Sequence, residues 1–367
     1  MRELQLSSYD YILPKERIAT HPIFPKEAAK LLVYERATHK ITHTTFKEFA
    51  QFLPRETLLV FNNTKVLPAR LYGTKIVQDS KTPYGNGAKI EALFHKEIAP
   101  NVYLMQFKGR LKVGHWVAFE GGIVARILKS NPSDALGVGF KEAEFFKIPN
   151  LQTNANPSLD SLKEPLSRQE FFNFLEHFGH IPLPPYIKRH DTQADKNDYQ
   201  SVFAKHLGAI AAPTASLHFT KEAYQNLKAH FQSTEITLHV GAGTFVGVSA
   251  ENILEHKMHK EHFFLSQDSA NKIQNASHIT AIGTTAARTI EAFARSGALS
   301  GECDLFLHPQ NKPRKTNALL TNFHLPKTTL LMLVASFIGL ETTQQLYQEA
   351  IARNYRFYSY GDGMLIL

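Results

Sequence analysis

Cysteine is almost missing: the 367 residues contain one, Cys303. A single thiol closes no internal disulfide and builds no cysteine-based zinc site, which sets aside disulfide-framework scaffolds and most redox chemistry and fits a reducing compartment. Long hydrophobic runs are also missing. The most apolar stretch, LLMLVASFIGL at 330–340, is interrupted by Ser336 and Gly339 and falls short of the roughly 20 residues a bilayer requires. It reads as a buried helix, with no membrane partner. The opening MRELQLSSYD carries acids where a secretory leader needs an apolar core, so a cytoplasmic location is expected. Internal repeats and low-complexity tracts are absent. So are the common catalytic fingerprints: Gly241-Ala242-Gly243 has Val246 where a dinucleotide loop needs its third glycine, and there is no P-loop, G-x-S-x-G elbow or H-E-x-x-H.

What remains is a chain rich enough in apolar residues, 43%, to fill real cores, and long enough for about two domains of ordinary size. Lys and Arg number 41 against 33 Asp and Glu, a net +8 that leans toward a polyanionic partner. Between about residues 70 and 147, short β-like runs such as RLYGTKIV, NVYLMQF and ALGVGF follow one another with Gly, Asn and Pro between them, predicting a small β-barrel or sandwich. A polar, turn-rich stretch at 150–165 reads as a domain-edge loop. Helices are then expected at 166–178, 221–231 (opened by Thr220) and 285–296, and strands at 209–212, 235–240 and 279–282. Strands alternating with helices imply a layered α/β sheet. TLLVFNN, before the β-rich region, has the same buried-strand look. The expected fold is therefore an α/β domain, residues 1–69 and 151–367, interrupted by a β-barrel at 70–150.

Chemistry-bearing residues crowd the expected strand ends. TLHVGAGTF runs from a strand into glycines, Gly241 and Gly243, that let backbone approach a ligand. ITAIGTTAART runs strand, Gly283, Thr284-Thr285, helix; such a helix start offers free N–H groups to a carboxylate or phosphate, with Arg288 close by. Ligands bind at such loops in open α/β sheets. His256, His259 and His262, three apart, would place two imidazoles on one face of a helix, but without a further ligand type no metal is expected. Two stretches are basic without compensating acids: Lys65, Arg70 and Lys75, and Lys312, Arg314, Lys315 and Lys327. They are either solvated faces or phosphate contacts.

The same segments resemble one family. VFNNTKVLPARL (60–71), GHIPLPPYI (179–187), YQSVFAKHLGAIAAPTASLHF (199–219), TLHVGAGTF (237–245), EHKMHKE (255–261), IGTTAART (282–289), TNFHLPKTTLLMLVASF (321–337) and YRFYSYGDGMLI (355–366) are similar, in order, to the S-adenosylmethionine:tRNA ribosyltransferase-isomerases of queuosine biosynthesis. The likeness runs from LPKERIATHP near the N-terminus to the end of the chain. It departs at Ser216, Lys30, Gln310 and Gly363, where the family usually has Gly, Arg, Gly and Ala; Ser216 is the departure that bears on a substrate loop.

The resemblance implies an α/β domain interrupted by a barrel. It also implies transfer and isomerisation of the ribosyl moiety of S-adenosylmethionine onto 7-aminomethyl-7-deazaguanine at the tRNA wobble position, giving epoxyqueuosine with release of adenine and methionine. S-Adenosylmethionine is then a co-substrate, tRNA the partner, and no metal is required because the sulfonium already activates the sugar. A monomer is expected; a noncatalytic tRNA-binding module of the same fold is the alternative. Inside the matched motifs the candidates for proton transfer are His218, His239, His324 and Asp362. Those for holding S-adenosylmethionine are Thr214, Phe219, Gly241, Gly243, Thr244, Phe245, Thr284, Thr285, Arg288 and Tyr360, the aromatics for the sulfonium and Arg288 with the helix start for the methionine carboxylate. Lys65, Arg70, Lys312, Arg314 and Lys315 are the candidate tRNA contacts, on a barrel and body expected to hold the anticodon arm.

Overall fold

The computed structural model describes residues 2–77, 87–130, 139–148, 164–241, 243 and 247–367. These form two compact units, one of Met1–Val66 with Leu183–Leu367 and one of Leu67–Pro182. In chain order the first unit begins with strands β1 (Lys30–Glu35), β2 (Lys40–Thr45), β3 (Thr57–Asn62) and β4 (Thr64–Val66). The second follows with β5 (Arg70–Lys75), β6 (Lys89–Ala99), β7 (Val102–Lys108), β8 (Trp116–Phe119), β9 (Ile123–Ser130), β10 (Phe140–Lys147) and helix α1 (Arg168–Phe178). The first unit then resumes with α2 (Asp195–Asp198), β11 (His206–Ala209), α3 (Lys221–His230), β12 (Ser233–Leu238), β13 (Glu261–Phe264), α4 (Gln267–Asn275) and β14 (His278–Ile282). It closes with α5 (Thr284–Ser296), β15 (Ser300–Cys303), β16 (Ala318–Asn322), α6 (Thr329–Ile338), α7 (Leu340–Ala352) and β17 (Gly363–Ile366).

In the first unit nine strands form one sheet in the order β15-β13-β12-β3-β14-β16-β17-β1-β2. Its middle, β12-β3-β14-β16, is all parallel. Covered on both faces, such strands read as continuous apolar runs rather than alternating ones: TLLVFN of β3 is buried at every position and so is ALLTN of β16. Their carboxyl ends, Leu238, Asn62, Ile282 and Asn322, therefore lie at one edge of the sheet. Helix α6, LLMLVAS at its heart, is buried almost throughout, and Thr328 caps it by accepting the N–H of Leu331. That is the run at 330–340 serving as a core helix. No helix among the described residues is long and apolar enough to cross a membrane.

The second unit is a closed barrel, β10-β7-β6-β5-β8-β9, antiparallel throughout. Strand β6 alternates buried and less buried positions, as a strand with one face in a core must. The compact unit runs past the expected boundary at 150. The unit continues to Pro182 and takes in α1, which the sequence assigned to the α/β body. A capping box between Ser167 and Glu170 starts that helix, and its apolar stripe, Phe171, Phe174 and Leu175, belongs to the barrel core. Phe171 stacks on Tyr103 at 3.7 Å and meets Phe145 edge-on at 4.8 Å. An amphipathic period shows that a helix has a buried face, not which core receives it. The expected loop at 150–165 lies outside the described residues except for Glu164 and Pro165.

Candidate active site

At the carboxyl edge of the parallel strands, the segments that leave β12, β14 and β16 enclose a cavity of about 210 Å³. Val240 follows β12; Gly283, Thr284 and Thr285 follow β14; Thr321, Asn322, His324 and Leu325 end and follow β16. The turn at 211–215 and the segments carrying Tyr186, Tyr199 and Tyr358 complete the wall. Gly283 has φ +99°, a conformation that favours glycine, and lets the chain turn sharply from β14 into α5. No side chain among the described residues caps α5, which leaves the N–H groups of its first turn available. Behind it Asn62 braces the edge: its amide donates to Leu238 O and Thr285 Oγ1, both at 3.0 Å, and its oxygen accepts from Leu238 N.

The described lining contains no carboxylate, ammonium or guanidinium. Its polar groups are hydroxyls, one amide and one imidazole. Asn322 sits at the end of β16 with Thr214 donating to its Oδ1 at 2.8 Å. The Nε2 of His324 is 2.7 Å from Thr321 Oγ1, and its backbone N–H donates to the Tyr347 hydroxyl at 3.0 Å. Burial pushes His324 down to about 3, which keeps the imidazole neutral at ordinary pH. The rings of Tyr186 and Tyr358 lie with centres 4.4 Å apart and planes tilted by 36°. Tyr358 has φ +73°, an outlier for a bulky residue and the kind of strain found at functional sites. The Tyr186 hydroxyl shares a hydrogen bond with Ser359 Oγ and accepts from Ser359 N–H at 3.1 Å; burial pushes it up to about 12.

The structure brings four of the nominated residues to this cavity: Thr214, Thr284, Thr285 and His324. It places the other described ones elsewhere. His218 is buried behind Asn322, stacked on Phe46 at 4.0 Å, and burial with the nearby Arg356 and Lys26 pushes it down to about 3. His239 bonds Thr64 at 2.8 Å and lies against Gly208, where a Cβ would come within 2.7 Å of the ring. The carboxylate of Asp362 accepts the backbone N–H groups of Lys30 and Arg356, at 2.9 and 2.7 Å, and burial raises its pKa despite them. Phe219 is core, packed edge-on against Phe46, Phe49 and Phe61. Tyr360 is buried with its hydroxyl on Asp195 at 2.9 Å. Asp195 also accepts from both terminal guanidinium nitrogens of Arg189. Thr244 and Phe245 lie outside the described residues.

Arg288 also points away from the cavity. It is buried and paired with Glu261, and donates to Cys303 O and Leu305 O at 3.1 and 3.2 Å. Glu261 in turn accepts the Gly241 N–H at 3.0 Å. This pair, with Gly243, His256 and His259, lines a separate void of about 30 Å³. The helix expected to carry His256, His259 and His262 does not form: 256–260 is irregular and β13 begins at Glu261. Among the described residues no group of three or more His, Cys, Asp and Glu is arranged to hold a metal.

Of the basic candidates, Arg70 pairs with Glu91 at 3.2 Å, and Lys315 donates to the carbonyls of Gln274 and Ala276 at 3.0 Å, closing the end of α4. Lys65 is half-buried on β4. Lys312 and Arg314 are exposed, on a loop whose backbone N–H groups at Arg314, Lys315 and Thr316 all donate to the buried Glu291. Tyr186, Tyr358 and Thr321 were not nominated from sequence. They sit inside motifs quoted above, but nothing in their spacing separates a cavity wall from a core.

A parallel sheet whose strand ends and a helix start enclose a cavity with an uncharged, tyrosine-rich described lining belongs to the α/β enzymes that bind a small molecule at that edge. Over residues 6–366 the chain matches the family model described as "Queuosine biosynthesis protein", and it belongs to that family. It is 48% identical to the S-adenosylmethionine:tRNA ribosyltransferase-isomerase of Helicobacter acinonychis, over 100% of both chains. It is also 48% identical to the one of Campylobacter jejuni, over 100% of this chain and 99% of that one. A crystal structure of S-adenosylmethionine tRNA ribosyltransferase from Thermotoga maritima is similar with TM-score 0.51 and 30% identity, covering 98% of this chain and 100% of that one.

Proposed function

We propose that the cavity at the strand ends holds S-adenosylmethionine, and that around it the chain carries out the reaction its relatives are named for. It transfers and isomerises the ribosyl moiety of S-adenosylmethionine onto 7-aminomethyl-7-deazaguanine at the tRNA wobble position, giving epoxyqueuosine, adenine and methionine. The observation that carries the assignment is the chemistry of the wall, which offers a complement to each part of that molecule. The uncapped N–H groups of α5 suit its carboxylate. The faces of Tyr186 and Tyr358 suit a sulfonium where no carboxylate stands among the described lining residues. Hydroxyl and amide groups suit the nucleoside.

When bound, S-adenosylmethionine supplies an acidified carbon beside its sulfur and methionine as a leaving group. The chain must then take a proton, exclude water and hold the sugar. His324 is the one nominated proton-transfer residue on the cavity wall, and its burial ensures that it enters the cycle neutral, with a lone pair to offer. If it takes the proton, His324→Ala is expected to lower kcat by about 10²–10⁴ with little change in KM. A drop of only a few-fold would move the base elsewhere. The reaction itself is tested by mixing the protein with S-adenosylmethionine and tRNA carrying the deazaguanine base: adenine is released, or the chain is only a binding module. Chelators leave that activity unchanged once tRNA folding is controlled for, and the protein works as a cytoplasmic monomer.

Lys312 and Arg314 touch the tRNA backbone, presented by the loop that Glu291 holds. Replacing both by Ala should make the log of affinity fall less steeply with log salt, by up to about 0.9 for each phosphate no longer neutralised, if B-DNA is a guide. An unchanged slope removes this loop from the footprint.

A further inference from the structure

Asn322 and Thr214 share one corner of the cavity, and their hydrogen bonds dictate which way each faces. The amide nitrogen of Asn322 lies 3.5 Å from the carbonyl oxygen of Asp362 and 3.3 Å from His218 Nε2. A carbonyl oxygen only accepts, so the NH₂ of the amide must be on that side. Two consequences follow. His218 Nε2 then accepts as well, which places its proton on Nδ1. The Asn322 oxygen is left to face Thr214, whose hydroxyl spends its single hydrogen on it at 2.8 Å. With that hydrogen used, the Thr214 oxygen has only lone pairs to offer, and so has the Asn322 oxygen beside it. This corner of the wall is a pair of acceptors with no donor between them.

We propose that Thr214 and Asn322 read the exocyclic amino group of the adenine, and that His218 is a positioning residue that locks the Asn322 amide. This rests on the cavity being the S-adenosylmethionine site. An amino group brings two N–H donors to one point and satisfies both oxygens. A carbonyl at the same place sets lone pairs against lone pairs, and a site built around hydrogen bonds rejects such an analogue far more strongly than an apolar pocket would. The network is rigid because its members are buried: Asn322 is 2% exposed and His218 is 5%. His218 is pinned further by its stack on Phe46.

The test compares S-adenosylmethionine with S-inosylmethionine at saturating tRNA. Alongside it, S-adenosylhomocysteine and S-inosylhomocysteine are compared as competing ligands in the presence of tRNA. The wild-type protein is expected to favour the adenosyl form at least about tenfold in both readouts. Thr214→Val, nearly isosteric, should bring the ratio toward one, while Thr214→Ser keeps it. His218→Leu should relax the ratio because the amide is free to turn, and His218→Gln, whose side-chain oxygen accepts from Asn322, should recover most of it. A ratio unmoved by both Thr214→Val and His218→Leu overturns the proposal. So does a rise in the KM for tRNA alone, which would assign the acceptor pair to the aminomethyl group of the deazaguanine. Leu325→Trp, which fills the cavity, separates the two levels. If it abolishes binding while Thr214→Val leaves the ratio intact, the cavity reading stands and this one falls; if it leaves adenosyl binding intact, both fall.

Discussion

The two compact units bury different things. In the barrel unit, among the described residues, the core is apolar and aromatic: Tyr103, Phe107, Phe145 and Phe171 lie side by side, and the buried charged side chain is Lys141, which reaches Ser130 Oγ at 3.1 Å. In the α/β unit the core also holds Asp195, His218, Glu261, Arg288, Glu291, His324 and Asp362, each less than a tenth exposed. Burying such groups costs stability unless every one is partnered, and here most are, by a guanidinium, by backbone N–H groups or by a hydroxyl. The barrel is thus built as a unit that folds by apolar burial. The α/β unit carries a polar frame that holds its strand ends and loops in set positions. The frame is largely not the site. Asp362, Glu261 and Glu291 spend their oxygens on the chain itself, and none of them is among the described residues that line the strand-end cavity.

Removing a frame charge should do the greatest damage. Arg288→Ala leaves Glu261 buried without its partner and is expected to cost about 3–5 kcal/mol in denaturant unfolding. A variant that folds normally and merely needs more S-adenosylmethionine would return Arg288 to ligand binding. The barrel counterpart is Phe171→Ala. It is expected to cost a similar 3–5 kcal/mol through the cavity it opens, with the drop in hydrogen-exchange protection centred on residues 67–182. Protection reduced equally across both units would erase the contrast.

Acid bears more heavily on the α/β unit. His218 and His324 are both held near 3 in the folded chain, below the ordinary histidine value, so the unfolded chain binds protons that the folded one refuses. Their contribution is complete above about pH 6.5 and is lost as pH falls toward 3. Between pH 7 and 5.5 the pair should remove about 2–3 kcal/mol. His95 in the barrel, pushed down to about 4 by burial, acts in the same sense. Replacing both α/β histidines by Gln should flatten the acid limb of a stability–pH curve; an unchanged limb would mean that neither is neutral by burial.

The smallest effect is a gain. Ser216 is fully buried, and its hydroxyl has no hydrogen-bond partner among the described residues. Ser216→Ala removes that uncompensated group and should raise stability by about 1 kcal/mol, read as a higher Tm. A lower Tm would show that the hydroxyl is satisfied.

Much of this was legible before any coordinates. The apolar run at 330–340, the strand-Gly283-helix turn and the β-rich segment each announce their local structure, because period and turn chemistry are local properties of the chain. Whole-chain motif order carried the family. The roles of side chains were less legible. Arg288 and the α5 N-terminus are neighbours in sequence and read as partners for one carboxylate. Yet Arg288 lies a full turn, about 6 Å of rise, beyond the start of the helix, and its guanidinium is held by the buried Glu261 instead. Asp362 among tyrosines and glycines looked like a catalytic acid, whereas it ties Lys30 and Arg356, distant in sequence, to one turn.

Composition and residue order settled the class, the family and the presence of an α/β body with a barrel within it, since these follow from periodicities and motifs that each stretch carries on its own. Only the folded chain decided which polar residues face a cavity and which face each other. Burial makes most donors and acceptors find a partner, and those partners lie on strands and loops that no local pattern connects: Asn322 on Thr214 and His218, Glu291 on the 314–316 backbone, Asp195 on Arg189 and Tyr360.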